Sequence, residues 1–267
     1  MSLVYLNGSY VPTADAVVPV SDRGLAYGDG VFTTIRVTAG APLFLGWHLE
    51  RLLRDAAALY IAAPPVEDLS DASFGLLSRL GLDEGVIKMT VTRGIGERGP
   101  STKSSGDPTV IVTASGLPEP RAPLKTITVP EPRGPLAAHK TLNYLPNVLA
   151  LHQAEAAGCD EAIFSRDGLL VEATVSNLIG IVDGAPRTPP LEGTVLGGIA
   201  RRALLEAGVV MEGNIPIDLE GPLFCINNVR GVEEVVELDG REMSRDPELH
   251  QLLTKALGDQ AQRSAAD

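Results

Sequence analysis

The stretch at residues 22–37 reads DRGLAYGDGVFTTIRV. Its first nine residues form a polar, glycine-rich loop, and the residues after Gly30 are β-branched or aromatic almost throughout, which predicts a strand. A dinucleotide-binding fingerprint needs its glycines between a strand and a helix, whereas these glycines precede a strand. The loop is therefore not such a fingerprint, and by itself it indicates a tight connection that uses the freedom of glycine at positive φ.

The segments on either side of this stretch mix short strands with helices. Asn7-Gly8 and Ala39-Gly40 lie between β-forming runs and predict two hairpins. Helical spacing of apolar residues predicts helices at about residues 47–60, 70–80, 146–157, 196–207 and 247–257. Further strands are predicted at 86–92, 109–114, 127–129, 161–164, 169–171, 223–226 and 235–238. The tail after Gly258 is predicted to be loose. Strands and helices without regular alternation predict an α+β fold.

A proline-rich connector divides the chain. Residues 116–123, GLPEPRAP, hold three prolines in eight residues, which is typical of an extended linker. We therefore predict a small N-terminal α+β domain at 1–117, a linker at 118–123 and a larger C-terminal domain at 124–267. A chain of 267 residues is long enough for two domains with their own cores.

Composition argues against several functional classes. The chain has 22 Lys or Arg against 34 Asp or Glu, a net charge of −12, whereas proteins that bind nucleic acid need a basic surface. No apolar run approaches the ~18 residues of a membrane span, and the N-terminus lacks a basic, apolar signal, so we expect a cytoplasmic protein. Cys159 and Cys225 lack the spacing of a metal site or disulfide framework. No metal site is predicted.

Lys140 and Glu172 are the first candidates for chemistry. Lys140 lies between an extended stretch and a predicted helix, and a lysine amine can form an imine with a carbonyl compound. The alternative is an ordinary surface charge, since lysine is rarely buried. Glu172 lies in the apolar segment 169–178, where a carboxylate needs a cationic partner. A structural ion pair would satisfy it equally.

Three further segments could bind an anion. Leu196-Gly197-Gly198-Ile199 opens a predicted helix, whose free N–H groups attract phosphate. Arg98 lies in the basic loop 93–100, where its guanidinium could grip a carboxylate, although a plain turn is the alternative. Arg51 lies off the apolar stripe of its predicted helix, so the residues alone predict that it is exposed to solvent.

Five motifs, taken in order, carry a family resemblance. They are DRG with YGDGVF at 22–32, HLERL at 48–52, KTLNY at 140–144, EATVSNL at 172–178 and LGGI at 196–199. The chain resembles the class IV (fold type IV) pyridoxal-phosphate enzymes, which include branched-chain aminotransferases, D-amino acid aminotransferases and aminodeoxychorismate lyases. The resemblance implies the two-domain fold of the D-amino acid aminotransferases, pyridoxal 5'-phosphate in the cleft between the domains, and a homodimer.

The same resemblance implies roles for three residues around the cofactor ring. Lys140 would form an imine with the cofactor and then act as the base that shuttles protons. Glu172 would face the pyridine nitrogen and keep it protonated, so that the ring accepts electrons from the substrate. Tyr144 would hydrogen-bond the phenolic oxygen.

Other matched positions are implied to hold the phosphate and frame the site. The phosphate would be held by Arg51, by the backbone of Ile199 and Ala200, and by Asn228. Many relatives have threonine at the position of Ala200, so one hydroxyl contact is lost while the amide donor remains. The other cofactor-binding positions implied are Ser176, Asn177, Leu196 and Gly198.

Three markers resemble the lyase branch of the family. The strand has Thr34 at the second threonine linked to catalysis in the lyases, where branched-chain enzymes typically have Phe-Glu-Gly. Arg98 would bind the substrate carboxylate. Asn227, in a segment that resembles Asn-Ser-Leu-Arg-Gly, and Phe32 would lie beside the substrate.

The resemblance therefore implies a 4-amino-4-deoxychorismate lyase, which releases pyruvate and 4-aminobenzoate for folate synthesis. The alternative within the family is an aminotransferase acting on D-amino acids or branched-chain amino acids. A non-catalytic binding protein on the same scaffold is a further alternative, against which Lys140 and Glu172 both argue.

Overall fold

The computed structural model describes residues 2–121 and 123–266, and the side chains of residues 2–121 and 123–264. The chain divides into two compact units. Unit 1 is Met1–Leu117 with His139–Asn143, and unit 2 is Pro118–Ala138 with Tyr144–Asp267. The break after Leu117 falls at the start of the predicted linker, of which Ala122 lies outside the described residues.

Unit 1 is built on an antiparallel sheet. Its strands are β1 (Leu3–Leu6), β2 (Ser9–Pro12), β3 (Gly30–Thr38), β4 (Ala41–Pro42), β5 (Gly85–Thr92) and β6 (Thr109–Ser115). Its helices are α1 (Arg23–Tyr27), α2 (Leu45–Ala58) and α3 (Val66–Leu80). The strand order is β2-β1-β6-β5-β3-β4, with every neighbouring pair antiparallel. Both predicted hairpins are confirmed, the first with Asn7 and Gly8 at φ of 46° and 89°.

The core of unit 1 lies on one face of this sheet. Along β3, the side chains of Val31, Ile35 and Val37 join the apolar residues of α2 and α3 in one buried cluster. Because successive side chains of a strand point to opposite faces, Phe32 and Thr34 project from the other face. The alternation of side chains along β3 therefore directs one set into the core and leaves the other set available for chemistry.

Unit 2 contains a larger mixed sheet. Its first strands are β7 (Leu124–Pro130), β8 (Glu161–Arg166), β9 (Leu169–Ala173), β10 (Asn177–Val182) and β11 (Ala185–Thr188). The later ones are β12 (Met211–Glu212), β13 (Ile215–Pro216), β14 (Leu223–Asn227), β15 (Gly231–Leu238) and β16 (Arg241–Glu242). The helices are α4 (Leu145–Ala156), α5 (Ile199–Glu206) and α6 (Pro247–Ala266). The order is β12-β11-β10-β14-β15-β7-β8-β9-β13, with β16 on β15, and strands and helices together confirm the α+β class.

Three helix ends differ from their predicted positions. α3 begins at Val66 instead of Ser70, with Glu67 and Asp68 in a first turn where the helix dipole favours acids. α5 begins at Ile199 instead of Leu196, because Gly198 is extended, with ψ of 147°. The predicted loose tail after Gly258 is wrong, since α6 continues to Ala266. Glycine inside a helix costs only about 1 kcal/mol.

The segment that carries Lys140 belongs to unit 1. The domain boundaries predicted from the sequence put it in the C-terminal domain, but the backbone of residues 139–143 lies along the start of β3. Phe32 N–H donates to the carbonyl of Lys140 at 2.9 Å, and Leu142 N–H donates to the carbonyl of Gly30 at 2.9 Å. These backbone hydrogen bonds join residues that are far apart in the sequence, so no local pattern predicts them. They attach the lysine to β3.

The helices of the described residues are too short or too polar to cross a lipid bilayer.

Candidate active site

Lys140 is held over an aromatic ring on the open side of β3. Its Nζ lies 4.6 Å from the centroid of the Phe32 ring, within the range of a cation–π contact. The residue is half-buried. The backbone bond from Phe32 to Lys140 fixes the two residues to each other, so the amine is confined to the face of β3 that carries Phe32 and Thr34.

A buried carboxylate on α2 positions the lysine backbone. Asp55, which is fully buried, accepts a hydrogen bond from Lys140 N–H at 3.0 Å through Oδ2. Its Oδ1 lies 3.0 Å from Nδ1 of His139. Sequence reasoning missed Asp55. The signal was available in the helical spacing of His48, Arg51 and Asp55, which places these polar residues on one face of α2.

Arg51 lies in the interior, and its predicted exposure is wrong. Only 6% of the residue is exposed, and its Nη2 donates to Oγ1 of Thr33 at 3.0 Å. The same hydroxyl lies 2.7 Å from Nδ1 of His48. Thr33 is therefore the polar residue on the core side of β3, and its hydroxyl contacts two buried side chains of α2.

His48 is kept neutral by its surroundings. Burial lowers its pKa well below the ordinary value, and the positive charges of Arg51 and Lys140 lower it further. A histidine whose folded pKa is depressed takes up its proton preferentially in the unfolded state. Its contribution to stability is therefore complete above the unfolded pKa of about 6.5 and declines as the pH falls below it.

We expect His48 to make the protein less stable in mild acid. Between pH 7.5 and pH 5.5 the contribution of His48 to the free energy of unfolding should fall by about 1 kcal/mol. The reason is that His48 binds a proton in the unfolded state but stays neutral in the folded state. Urea denaturation of the wild type and His48→Gln at both pH values measures this share. His152→Gln, a change at an exposed position of α4, is the control. Equal pH slopes for wild type and His48→Gln would contradict the assignment.

Glu172 is the centre of a hydrogen-bonded cluster in unit 2. It lies on β9 with 4% exposure. Its Oε1 accepts from Arg133 Nη1 at 2.7 Å, and its Oε2 accepts from Asn177 Nδ2 at 3.1 Å and from Leu196 N–H at 3.0 Å. The cationic partner expected from the sequence is thus Arg133, 39 positions earlier in the chain.

Arg133 is a functional candidate that sequence reasoning missed. Its guanidinium lies 3.9 Å from the centroid of the Phe164 ring and also donates to the carboxylate of Glu131. Burial lowers the pKa of Arg133, but the hydrogen bond to Glu131 and the charges of Glu172 and Glu131 outweigh burial and raise it. Glu172 therefore lies beside a cation that keeps its proton.

Asn177 and Gly198 shape the start of α5. Besides Glu172, Asn177 Nδ2 donates to the carbonyl of Leu196 at 2.9 Å. A Cβ on Gly198 would lie 2.0 Å from Oδ1 of Asn177, so any other residue there would have to displace a side chain that is held by Glu172 and Leu196. The N–H groups of Ile199 and Ala200 follow in the first turn, where a helix has no internal acceptors for them. This is the geometry of an anion-binding helix end.

The other residues predicted for unit 2 lie at or next to the ends of strands and helices. Asn227 Nδ2 donates to Oγ of Ser176 at 2.9 Å, and Asn227 Oδ1 accepts from Val229 N–H at 2.9 Å. Asn228 is half-buried in the turn between β14 and β15. The hydroxyl of Tyr144, at the start of α4, donates to the carbonyl of Thr174 at 3.4 Å.

Arg98 lies on the surface of unit 1. It is exposed on the loop that joins β5 to β6 in unit 1. Among the residues that the structure describes, its guanidinium has no hydrogen-bond or ion-pair partner, which leaves its planar fork available to a carboxylate. Unit 1 thus groups Lys140 with Phe32 and the network of Arg51, and unit 2 groups Glu172 with Asn177, Leu196 and Gly198.

Comparison with known proteins decides the family. The sequence model of the class IV aminotransferases matches residues 30–238, most of the chain. The protein belongs to this family. The match confirms the resemblance inferred from the five motifs, and it confirms the class IV aminotransferase fold.

Relatives within the family differ in their named activities. The protein is 37% identical over 254 residues to the "Putative branched-chain-amino-acid aminotransferase" of Methanocaldococcus jannaschii, covering 89% of this chain and 88% of that protein. It is 31% identical over 242 residues to a D-alanine aminotransferase of Staphylococcus aureus, covering 88% and 84%. The crystal structure of 4-amino-4-deoxychorismate lyase from Pseudomonas aeruginosa is similar with a TM-score of 0.83 and 31% identity, covering 96% of this chain and 98% of that one.

The family uses pyridoxal 5'-phosphate, and the residues present fit it. In unit 1, the amine of Lys140 is of the kind that would join the aldehyde, and the buried guanidinium of Arg51 would suit the phosphate. In unit 2, the carboxylate of Glu172 would suit a protonated pyridine nitrogen, and the helix end at Gly198 would suit phosphate oxygens. When bound, the cofactor supplies an electron sink for the pair left on a substrate carbon. Its placement in a cleft between the domains stays a prediction.

Gly198→Ala should weaken cofactor binding. The new methyl group would overlap Asn177 Oδ1, and relieving that clash would shift the first turn of α5 at a cost of about 2 kcal/mol. We expect the dissociation constant for pyridoxal phosphate, measured by absorbance titration of the apoprotein, to rise about tenfold or more. Gly258→Ala, in a helical position of α6 with nothing within 4 Å, is the matched control and should bind normally. Normal binding by Gly198→Ala would refute the role of this glycine.

Proposed function

We propose that the protein is a 4-amino-4-deoxychorismate lyase, which converts aminodeoxychorismate into 4-aminobenzoate and pyruvate. In this proposal Lys140 and Glu172 act on one pyridoxal phosphate molecule. Both are the residue types that such chemistry requires, a nucleophilic amine and a carboxylate.

The position of Thr34 carries the proposal. Thr33 faces the core and bonds with Arg51, whereas Thr34 shares the open face of β3 with Phe32, the ring beneath Lys140 Nζ. A hydroxyl two residues from that ring is suited to give a proton to a leaving oxygen. An aminotransferase moves an amino group and breaks no ether C–O bond, so it needs no acid for an enolpyruvyl oxygen.

Two further groups support a substrate with carboxylates. Arg98 presents an exposed guanidinium, which binds carboxylates through two parallel hydrogen bonds. Asn227 is fixed by its bonds with Ser176 and Val229, so its amide could orient a polar substrate group. The likeness to the Pseudomonas aeruginosa lyase, at 31% identity over 96% of the chain, points the same way.

The proposed reaction assigns one proton step to each catalytic side chain. Lys140 would take the proton from the ring carbon that bears the amino nitrogen of the substrate. Thr34 donates to the enolpyruvyl oxygen as its bond to the ring breaks. Loss of that C–H proton and that C–O bond makes the ring aromatic, and the enol released becomes pyruvate.

An aminotransferase is the second candidate, and its relatives favour it. The relatives of Methanocaldococcus jannaschii and Staphylococcus aureus, at 37% and 31% identity, are both named as aminotransferases. Arg98 would serve an amino acid carboxylate as well as that of aminodeoxychorismate. D-Amino acids and branched-chain amino acids are the substrates to consider.

A pair of assays distinguishes the two candidates. The purified holoenzyme is mixed with aminodeoxychorismate while the fluorescence of 4-aminobenzoate is followed, and in parallel with D-alanine or a branched-chain amino acid and 2-oxoglutarate while glutamate is followed. The lyase proposal expects 4-aminobenzoate. Rapid glutamate formation with no 4-aminobenzoate would replace it by the aminotransferase.

Thr34→Ala tests the residue that carries the lyase proposal. Removing the hydroxyl should lower kcat for 4-aminobenzoate formation about 100-fold, the usual contribution of a positioned acid. Thr34→Ser keeps a hydroxyl and should stay within about threefold of wild type. Thr113→Ala on β6, where the hydroxyl only bonds the carbonyl of Lys88, is the control. A fully active Thr34→Ala would remove the acid role.

We also propose a homodimer. Unit 1 exposes Val17, Val20 and Leu25, and Val20 has 88% of its surface in solvent. Unit 2 exposes Leu145 and two neighbouring apolar residues along α4, Val148 and Leu149. Apolar side chains grouped in this way commonly mark interfaces. Light scattering of the purified protein should give twice the chain mass of 28.1 kDa.

A further inference from the structure

Arg23 begins α1, the short helix within the segment 22–30 that the sequence predicted to be a loop, and its side chain holds a distant segment. Its Nη1 donates to the carbonyls of Gly99 at 3.0 Å and Ser101 at 3.2 Å, and its Nη2 donates to the carbonyl of Pro100 at 3.4 Å. These three residues directly follow Arg98. The guanidinium is almost fully buried, with 4% of its side chain exposed. A buried cation with three consecutive carbonyls is a specific anchor for that stretch of backbone.

Tyr27 completes the anchor from the end of α1. Its hydroxyl accepts a hydrogen bond from Gly99 N–H at 2.7 Å. The guanidinium of Arg23 lies 4.8 Å from the centroid of the Tyr27 ring. The two side chains therefore satisfy both the donor and the acceptor of the residue after Arg98.

The anchor is itself fixed by an ionic pair. Asp29 Oδ2 accepts from Arg23 Nε at 2.8 Å and from Arg93 Nε at 2.7 Å. Arg93 also donates to the carbonyls of Leu59 at 2.6 Å and Tyr60 at 2.7 Å, at the end of α2. Arg23 is thus tied through Asp29 and Arg93 to a helix of the core, and its guanidinium cannot follow movements of the loop.

The loop leaves room for the stem of this arginine. A Cβ on Gly96 would lie 2.8 Å from Cδ of Arg23, so the backbone passes directly against the side chain. Lysine could keep the charge near Asp29 but could not reach three carbonyls, because its ammonium is a compact group on a flexible stem. The contacts require the planar fork of arginine.

We propose that Arg23 and Tyr27 are positioning residues that hold residues 99–101 and thereby present Arg98 to a substrate carboxylate. The proposal rests on the proposed function in one respect, that Arg98 binds the substrate carboxylate, and both candidate activities share that feature. Releasing the anchor should leave the chemistry at Lys140 intact and weaken substrate binding, because Arg98 would then have to be ordered on each binding event.

Two measurements test the two parts of the proposal. Limited trypsin digestion of the holoenzyme reports on the loop, since Arg98 is exposed and its bond to Gly99 is a trypsin site. Arg23→Lys and Tyr27→Phe should speed cleavage there about tenfold and threefold, in line with the number of hydrogen bonds lost. Steady-state kinetics on whichever carboxylate substrate the enzyme turns over should show KM raised by similar factors, with kcat within about twofold.

A double-mutant cycle separates positioning from general damage. In an Arg98→Met background, Arg23→Lys should raise KM no further, because residues that act through one another are not additive. Arg79→Lys and Tyr10→Phe are matched controls, since they form another arginine–tyrosine stack of unit 1, at 3.9 Å between Arg79 and the Tyr10 ring, and should change neither readout.

Each outcome bears on the proposal. Unchanged cleavage, an effect on KM that adds to that of Arg98→Met, or a loss of kcat at constant KM would overturn it. If Arg23→Lys does not fold, Tyr27→Phe, which removes one hydroxyl, tests the anchor by the same two readouts. Failure of the lyase assignment is detected separately, as the absence of 4-aminobenzoate. In that case KM is measured with the substrate of the aminotransferase reaction.

Discussion

Lys140→Ala is expected to abolish turnover, lowering kcat about 10⁴-fold or more through loss of the base that moves the substrate proton. The cofactor can still associate through phosphate contacts, but borohydride should no longer fix it at position 140, because the amine assigned to its aldehyde has been removed. Assays of product formation measure the first effect. Mass spectrometry after borohydride reduction measures the second and locates the label.

Lys88 provides the matched control for this lysine. Its Nζ lies 4.9 Å from the centroid of the same Phe32 ring, so the two ammonium groups share one aromatic neighbour. Lys88→Ala should still be labelled at position 140 after reduction. If the label persists in Lys140→Ala but disappears in Lys88→Ala, then Lys88 and not Lys140 is the residue that joins the cofactor.

Glu172→Gln is expected to lower kcat about 10²- to 10³-fold, the usual effect of removing one preorganised electrostatic contact. Glutamine keeps the shape and can still accept the hydrogen bonds from Asn177 and Leu196. It carries no charge, so it cannot hold a pyridine nitrogen in its protonated form, and the cofactor becomes a poorer acceptor of electrons. Steady-state rates and the absorption spectrum of the holoenzyme measure the change.

Glu131 is the internal control for that substitution. Both carboxylates bind the guanidinium of Arg133, so Glu131→Gln removes a charge from the same network without touching Glu172. It should lower stability while leaving kcat within a few-fold of wild type. Equal losses of kcat in the two variants would mean that Glu172 acts only as a structural partner of Arg133.

Local patterns predicted most of the elements. Alternation of β-branched residues located β3, and Asn7-Gly8 located a turn because few other residue pairs adopt positive φ twice in succession. Errors concern the ends of helices, such as α6, which runs through Gly258 to Ala266. The free-energy cost of Gly258 within the helix is small compared with the stabilisation that a long helix gains from packing. A short window of sequence does not show this difference, because the packing partners lie elsewhere in the chain.

The hydrogen-bond and ion-pair partners of buried polar side chains could not be predicted from such local patterns. Arg51 was expected on the surface because it lies off the apolar stripe of α2, whereas Thr33 makes a polar site for it inside unit 1. Glu172 was expected to need a cation, but nothing local identified Arg133. Such partners come from separate elements, and only the packing of those elements selects them.

The sequence by itself determined the family, through five motifs whose residue types and order match its cofactor chemistry, and it determined which residues alternate across β3. Both depend on neighbours within a few positions, where steric preferences and side-chain periodicity act. The tertiary structure alone decided that Lys140 attaches to β3 and that Arg23 holds carbonyls 76 to 78 positions away. Those contacts join buried groups that folding brings together. A buried hydrogen-bond donor needs an acceptor that is near in space, and that acceptor can lie far away along the chain.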